Sequence, residues 1–301
     1  MRSTIAAVLQ CEVLNGPMDP HIQENRIGII CGGGSLPSEL AHAAIASGCG
    51  IHLIGITGEA DKRIENYPHS WIKWGEFGRM FHVLEQENCK DIVIIGTVTR
   101  PDLSQVRLDL GAVKMLPFMV SLLSGGDNSV LSNIVKFFES KGFKVRGAHE
   151  IAPSLLSPSG VVSRQSPEAA DHDDIEIGLN VIQAMAPFDV GQAVVVARGH
   201  VLGVEAAEGT DDLLRRCRDL RQWGAKARTQ RSGVLIKCPK PGQDLRIDLP
   251  TIGPRTLELA AEAGLKGIAV RAGHVLLADR ADLLITADRH KLFVIGVDHD
   301  S

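Results

Sequence analysis

Aromatic side chains are scarce in this chain, at 4% of its 301 residues. Proteins that bind single-stranded nucleic acid stack bases on such side chains, so the shortage argues against a stacking platform of that kind. The formal net charge is −4, and the chain as a whole therefore does not attract nucleic acid or an anionic bilayer. No nucleic-acid partner is expected, and an anionic ligand must be bound by a local cluster of positive charge.

Cysteines are few and scattered, with six in all and no Cys-x-x-Cys pair or paired histidine motif. This spacing is typical of reduced cytoplasmic thiols, not of a disulfide framework or a zinc site. No apolar run approaches the ~18–20 residues needed to span a bilayer. Residues 1–25 contain only one short apolar stretch, Ile5–Leu9, and are expected to form a flexible extension.

The remaining composition is that of a globular protein, with 44% hydrophobic and 23% charged residues. The length favours two domains. In the first half, strand Ile27–Cys31 leads through the glycine turn Gly32–Gly34 into a helix, and strand Ile51–Ile56 follows. This order predicts parallel pairing, hence an α/β fold with a Rossmann-like open-sheet N-terminal domain at residues 26–155.

Ala152–Gln165 is rich in proline, serine and glycine and is predicted to be a linker. Beyond it, predicted strands outnumber helices and several follow one another directly. Among them, Gly267–Val270 and Val275–Ala278 are expected to form a hairpin. The second half is therefore predicted to be an α+β domain at residues 166–301 that carries the catalytic acids.

The most informative segment of the sequence is Lys240–Thr256. Prolines and Gly242 bracket the stretch Gln243–Leu249, which argues against a helix there. As a strand it alternates, with Asp244, Arg246 and Asp248 on one face and leucine and isoleucine side chains on the other. An exposed edge strand with solvated charges would explain this pattern without any function.

Spacing assigns different tasks to the two aspartates of this segment. On a regular strand Asp244 and Asp248 would lie ~13 Å apart, too far to bind one metal ion together. Asp248, next to a predicted helix start, is expected to be the metal ligand or the base that orients water. Asp244 is expected to position Arg246 or to contact a substrate hydroxyl.

That helix start suits an anion. Pro254 lies in its first turn with Gly253 or Thr251 as the cap, and free N–H groups at a helix N-terminus favour negative charge. Lys237, Lys240 and Arg246 supply local positive charge. Of these, Lys240 and Arg246 are expected to bind phosphate oxygens with the amides of Thr251–Gly253. Gln243 is expected to contact the substrate as well.

A divalent cation is expected at this segment. An unpaired aspartate ~6 Å from a diphosphate would be repelled by roughly 3 kcal/mol at an effective dielectric near 20. A cation between the two reverses the sign of that interaction, so we expect Mg²⁺ dependence. Glu205 and Glu208 are further candidate ligands, because they precede a helix whose own first-turn acids, Asp211 and Asp212, are explained by capping.

A second candidate site lies in the first half. Gly33, Gly34, Ser35 and Leu36 follow a predicted strand and match part of a dinucleotide fingerprint, but Pro37 replaces the third glycine. No acid ends the Ile51–Ile56 strand, so NAD chemistry is disfavoured. A tight turn that lets strand and helix pack explains the same glycines equally well.

The loop after strand Asp91–Gly96 is a third candidate, because ligands bind at the carboxyl ends of parallel strands. Thr99 and Arg100 lie in this loop and are predicted to contact the substrate, with Arg100 as a phosphate partner. A structural pair between Arg100 and Asp102 would explain the arginine as well.

Together these segments resemble a known family, the UDP-2,3-diacylglucosamine pyrophosphatases of the LpxI type. The similarity covers about Arg26 to Val297. It depends on five motifs, Gly32–Pro37, Gly96–Asp102, Gly147–Glu150, Val204–Asp211 and Lys240–Thr256. The catalytic aspartate of the family's Arg-x-Asp-Leu-Pro motif falls on Asp248.

The resemblance implies Mg²⁺-dependent hydrolysis of UDP-2,3-diacylglucosamine to UMP and 2,3-diacylglucosamine 1-phosphate, in lipid A biosynthesis. It also implies two domains that hold the acyl-sugar between them, a homodimer, and a cytoplasmic protein whose acylated substrate brings it to the inner membrane's cytoplasmic face. A UDP-sugar transferase and a non-catalytic nucleotide-sugar binding protein remain the alternatives.

Overall fold

The computed structural model describes residues 26–99, 127–188, 190–220 and 231–298. Its two main β-sheets are each covered by helices. The first sheet is entirely parallel, with strand order β3-β2-β1-β4-β5. Its strands are β1 (Arg26–Cys31), β2 (Gly50–Ile56), β3 (His69–Ile72), β4 (Cys89–Ile95) and β5 (Lys144–Val145). Their apolar runs are buried on both faces, as expected for a parallel sheet between helical layers.

Helices cover both faces of this sheet. In chain order they are α1 (Leu36–Ala46), α2 (Phe77–Gln86), α3 (Asp127–Ser140) and the single turn α4 (Ala148–Ile151). Helices α1 and α4 pack with the odd-numbered positions of β1 into one apolar cluster, hereafter face A. Helices α2 and α3 pack with the even-numbered positions into a second cluster, face B. Successive strand residues alternate between the two faces.

The second sheet is mixed, with order β6-β13-β11-β9-β7-β8. Strands β9, β11 and β13 are parallel, whereas β6, β7 and β8 pair antiparallel at the two sides. The bounds are β6 (Gly160–Val161), β7 (Ala193–Ala197), β8 (His200–Val204), β9 (Val234–Lys237), β11 (Gly267–Arg271) and β13 (Phe293–Val297). The short strands β10 (Thr251–Ile252) and β12 (Leu276–Leu277) form a separate parallel pair.

Of the helices in the described residues, four cover this second sheet. Helix α5 (Ala169–Met185) packs on one face, and α6 (Gly209–Leu220), α7 (Pro254–Glu262) and α8 (Arg280–His290) pack on the other. None of the described helices combines the length and apolar character needed to cross a bilayer. The predicted fold class, a Rossmann-like α/β domain followed by a mixed α and β domain, is confirmed.

Two sequence predictions about the second half are wrong in detail. The expected hairpin of residues 267–270 and 275–278 does not form, because β11 pairs in parallel with β9 and β13 while β12 pairs with β10. The predicted linker is partly structured, since Gly160–Val161 adds a strand to the second sheet. Both errors concern pairing between segments far apart in sequence, which a local pattern does not specify. The domain bounds 26–155 and 166–301 stay a prediction.

The two halves contact each other at the carboxyl edge of the first sheet. Leu276, Leu249 and Ala278 of the second half pack into face A. The amide of Asp279 donates to the Glu39 carboxylate on α1 at 3.0 Å. The segment that holds the predicted catalytic aspartate therefore lies between the two sheets.

Candidate functional site

The segment around Asp248 is a tight turn and not the predicted strand. The Asp248 amide donates to the Asp244 carbonyl at 3.1 Å, and the Asp244 carboxylate accepts from the Arg246 amide at 3.1 Å. This side-chain-to-backbone bond is an Asx-type turn, which competes with strand pairing and which period-two alternation does not reveal. The ~13 Å separation expected for a regular strand therefore does not apply to Asp244 and Asp248.

Asp244 holds Arg246, the first of the two tasks predicted for it. Its carboxylate accepts from Nε and Nη2 of Arg246 at 2.9 and 2.7 Å. The guanidinium hydrogen bonds hold the pKa of Asp244 below its usual value. The Arg246 guanidinium also contacts Glu139 on α3 at 2.9 Å. These contacts use three of the five N–H groups of the guanidinium.

Asp248 is held by two glutamine side chains. The Gln243 amide donates to both the carboxylate and the carbonyl of Asp248, the latter at 2.8 Å. Gln243 is buried, and its own oxygen accepts from the Lys240 amide at 2.8 Å. The Gln192 side chain donates to Asp248 Oδ2 at 3.4 Å. Gln243, predicted to contact substrate, therefore orients the aspartate in this structure.

Sequence reasoning missed Gln192, and it identified Lys237 only as a source of local positive charge and not as a buried residue. Lys237 ends β9, and its ammonium donates to Thr210 Oγ1 at 2.9 Å and to the Thr251 carbonyl at 3.0 Å. Burial lowers its pKa, while the charges of Glu205, Asp211 and Asp248 oppose that shift. A charged residue closing an apolar strand at a carboxyl sheet edge was the available signal for Lys237; nothing in the sequence pointed to Gln192.

Glu205 is joined to this lysine through the Thr210 hydroxyl. Its carboxylate accepts from the Thr210 hydroxyl and from the Gln192 amide, both at 2.9 Å. Glu205 is only 9% exposed, so the position of its charge is well defined. A hydrogen-bonded chain thus runs from Lys237 through Thr210 and Glu205 to Gln192, whose side chain reaches Asp248.

Glu208 lies outside that chain. It pairs with Arg216 at 2.8 Å. Hydrogen bonds from backbone amides and from Arg216 lower its pKa. In the described part of the chain, no three acidic, histidine or cysteine side chains converge as a ready metal site. Asp248, Glu205 and Glu208 are therefore not gathered around one point.

The predicted helix start is where the sequence placed it. Helix α7 begins at Pro254 with Gly253 as its cap, and the Gly253 amide donates to Thr256 Oγ1 at 3.3 Å. Thr251 precedes it in β10 and directs its carbonyl to Lys237. The helix N-terminus and the buried ammonium are therefore joined through Thr251.

An amphiphilic cavity of about 330 Å³ opens beside the Asp248 turn. Its apolar wall includes Leu179 and Ile182 of α5 and Leu245 of the turn, and Lys240 and Arg271 add positive charge. This volume lies at the lower end of the range for small-molecule sites. The cavity combines surface for a hydrocarbon group with charge for an anion.

At the carboxyl edge of the first sheet, packing explains part of the glycine turn. A Cβ on Gly32 would lie 2.4 Å from the Thr97 carbonyl oxygen, and Gly33 and Thr97 exchange backbone hydrogen bonds of 2.7 and 3.0 Å. Gly34 differs, because it has a φ of +90° and open space where a Cβ would point. Gly34 is thus the glycine at which a ligand has room.

The structure also shows what surrounds Ser35, Leu36 and Thr99, three other residues predicted to bind substrate at this edge. Ser35 is a buried helix-cap residue of α1, and its side chain makes no cap hydrogen bond. The Leu36 side chain belongs to face A, which leaves only its backbone for a ligand. Thr99 donates its amide and hydroxyl to Glu59 at 3.0 and 2.7 Å, and these bonds lower the Glu59 pKa. Arg100 lies outside the described residues.

The two edges meet. Leu249, next to Asp248, and Leu36, next to the glycine turn, belong to the same apolar cluster. The structure therefore places the Asp248 turn and the glycine turn against the same apolar face of the first sheet. The predicted ligand Glu208 is instead paired with Arg216.

Comparison with known proteins matches each half of the chain to a family domain. Residues 26–155 match the LpxI N-terminal domain, and residues 158–295 match the LpxI C-terminal domain. UDP-2,3-diacylglucosamine pyrophosphatase LpxI of Caulobacter vibrioides is 40% identical over 273 residues, 91% of this chain and 98% of that protein. A solved structure of CobK precorrin-6A reductase aligns with 92% of this chain and 89% of its own at 14% identity, but its TM-score of 0.31 is too low to support any argument. The chain belongs to the LpxI family.

Proposed function

We propose that this protein is a hydrolase that splits the diphosphate of UDP-2,3-diacylglucosamine into UMP and 2,3-diacylglucosamine 1-phosphate in lipid A biosynthesis. One observation carries the proposal. The Asp248 carboxylate, oriented by two glutamines, lies at a carboxyl sheet edge beside the buried charges of Lys237 and Glu205. Membership of the LpxI family and the pyrophosphatase name of the Caulobacter relative support the choice of substrate.

In this proposal Asp248 acts on the attacking water. Its carboxylate orients a water molecule and accepts its proton, and the water oxygen bonds to the phosphorus that carries the sugar. The bond from that phosphorus to the bridging oxygen breaks, and UMP leaves with the bridging oxygen. Gln243 and Gln192 restrict the carboxylate to one orientation, which is what positioning of a general base requires.

In this proposal a Mg²⁺ ion would be held by the carboxylates of Asp248 and Glu205. Magnesium in enzymes of phosphate chemistry is commonly bound by one or two carboxylates together with substrate phosphates and water. Asp248 and Glu205 provide such a donor set, and Glu208 would join it only by leaving Arg216. When bound, Mg²⁺ would neutralise charge that develops on the diphosphate.

Other residues bind the substrate in this proposal. Lys240, Arg246 and the amides of Thr251–Gly253 would contact phosphate oxygens. The first-sheet edge would bind the remainder through Gly33, Gly34, Ser35, the Leu36 backbone, Thr99 and Arg100. The amphiphilic cavity beside Leu245 supports a substrate that joins hydrocarbon to phosphate.

We further propose a homodimer in the cytoplasm. Contact with the membrane would be peripheral, at the cytoplasmic face of the inner membrane, because the acylated substrate resides there. Sedimentation of the purified protein gives the oligomeric state, and flotation with vesicles that do or do not contain the substrate tests the contact. A monomer, or vesicle binding that ignores the substrate, would contradict these two parts.

One assay tests the proposed reaction. Purified protein is incubated with UDP-2,3-diacylglucosamine and Mg²⁺, and UMP is measured. We expect UMP and the sugar 1-phosphate in equal amounts, and loss of both in excess EDTA. Full activity in EDTA would refute the metal role. Acceleration by an added sugar acceptor would indicate a transferase, and substrate binding without UMP would indicate a binding protein.

A further inference from the structure

The Asp248 turn belongs to the second half of the chain, yet its side chains contact both halves. Asp248 faces Gln243 and Gln192 of its own domain. The residues on each side of it face the first domain, since Ile247 packs against face B and Leu249 packs against face A. The turn therefore straddles the carboxyl edge of the first sheet, with one apolar side chain on each of its faces.

An ion pair adds a third link. Arg246 Nη1 lies 2.9 Å from Glu139 Oε1 on α3, across 107 positions of the sequence. Asp244 holds the rest of the same guanidinium through Nε and Nη2. The guanidinium is therefore bidentate to Asp244 within the turn, and its Nη1 contact with Glu139 joins the turn to the first domain.

The turn lies in neither a helix nor a strand, so no regular backbone pairing fixes its position. The position of Asp248 therefore depends on these side-chain links. Within the turn, the amides of Ile247 and Asp248 both donate to the Asp244 carbonyl, at 3.3 and 3.1 Å. Such local bonds set the shape of the turn but not its place relative to the glycine edge. The side chains of Ile247, Leu249 and Arg246 relate it to the first domain.

We propose that Glu139, Ile247 and Leu249 are positioning residues for the reaction, through which the first domain holds the Asp248 turn in its catalytic place. The catalytic group of one domain is then fixed by contacts with the other. The inference depends on the proposed function, since it concerns the turnover of that same site.

The first test replaces Glu139 by glutamine, which keeps the shape of the side chain and removes its charge. Because the pair with Arg246 is exposed, we expect its loss to lower kcat by about 2-fold to 5-fold. KM should change less than kcat, and the melting temperature should stay that of the wild type. Glu262→Gln is the matched control, because it removes an exposed pair between Arg218 and the last residue of α7 and should leave kcat unchanged.

A double-mutant cycle with Arg246→Lys separates positioning from phosphate binding. If Glu139 acts through the arginine fork, Glu139→Gln should cost little more in the Arg246→Lys background than Arg246→Lys costs alone. Independent, multiplicative losses in kcat would overturn the role assigned to Glu139.

Ile247→Val tests the apolar link with a change small enough to preserve folding. We expect kcat to fall about twofold or more with a KM close to that of the wild type, and Leu249→Ala to fall further. Wild-type kcat in both Ile247→Val and Glu139→Gln would overturn the proposal. Absence of UMP release by the wild-type protein would instead refute the proposed function, so the two failures are distinguishable.

Discussion

The carboxyl edges of the two sheets meet in this protein, but their special residues have different causes. At the first edge, Gly32 is required because a Cβ would collide with the Thr97 backbone, which is a packing reason. At the second edge, Lys237 and Glu205 are buried charges joined through Thr210. Folding would be served as well by apolar side chains there. The contrast supports the proposal that the chemistry takes place at the second edge, whereas the first edge is shaped by the close approach of its loops.

The largest expected effect is on turnover at the second edge. Asp248→Ala should lower kcat by about 10³-fold, within the range for removal of a general base. The substrate should still bind, and the melting temperature should change little because Asp248 is only half-buried. Calorimetric binding with the inactive variant checks both parts. An Asp248→Ala enzyme that retains a tenth of wild-type kcat would remove the residue from the mechanism.

Lys237→Met should have the largest effect on stability. The change leaves Glu205 buried without its cation, which typically costs about 3–5 kcal/mol in the free energy of unfolding. Urea unfolding measures the loss. The double variant Lys237→Met with Glu205→Gln should recover a large part of it. A single variant as stable as the wild type would show that these charges are solvated, and the contrast between the edges would fail.

Gly32→Ala should affect stability through crowding at the first edge. The added methyl meets backbone that cannot rotate away, and overpacking of this kind costs about 1–3 kcal/mol. Residual turnover of the folded fraction should stay near that of the wild type. A normal unfolding curve combined with lost substrate binding would instead assign Gly32 to the ligand.

Asp244→Asn should have the smallest effect, visible in the pH dependence. The folded-state pKa of Asp244 lies below its ordinary value of 3.8 because Arg246 hydrogen-bonds the carboxylate. Its contribution to stability is therefore complete above pH 3.8 and is lost as the pH falls through the folded-state pKa. The stability difference between wild type and Asp244→Asn should shrink over that interval in urea titrations. A difference that grows on acidification would contradict the ion pair.

Local signals predicted much of this arrangement. Pro254 after Gly253 marks the start of α7 because both act within one turn of chain, and the apolar runs of β1, β4 and β9 mark buried strands. The turn at residues 244–248 was predicted as a strand because its polar and apolar residues alternate, although its apolar side chains line the cavity beside α5 and pack against the first domain and not on one face of a sheet.

The unpredicted parts of the site depend on distant partners. Gln192 reaches Asp248 across 56 positions, and Glu139 reaches Arg246 across 107. No periodicity of a single sequence records such contacts. The burial of Lys237 likewise follows from Thr210 and Thr251, which tertiary packing brings to the end of β9.

The central claim is that Asp248 directs water at the phosphorus that carries the sugar. Turnover of UDP-2,3-diacylglucosamine in water enriched in oxygen-18, followed by mass spectrometry of both products, tests it directly. We predict one labelled oxygen in 2,3-diacylglucosamine 1-phosphate and none in UMP. Label in UMP, or in neither product, would contradict the account.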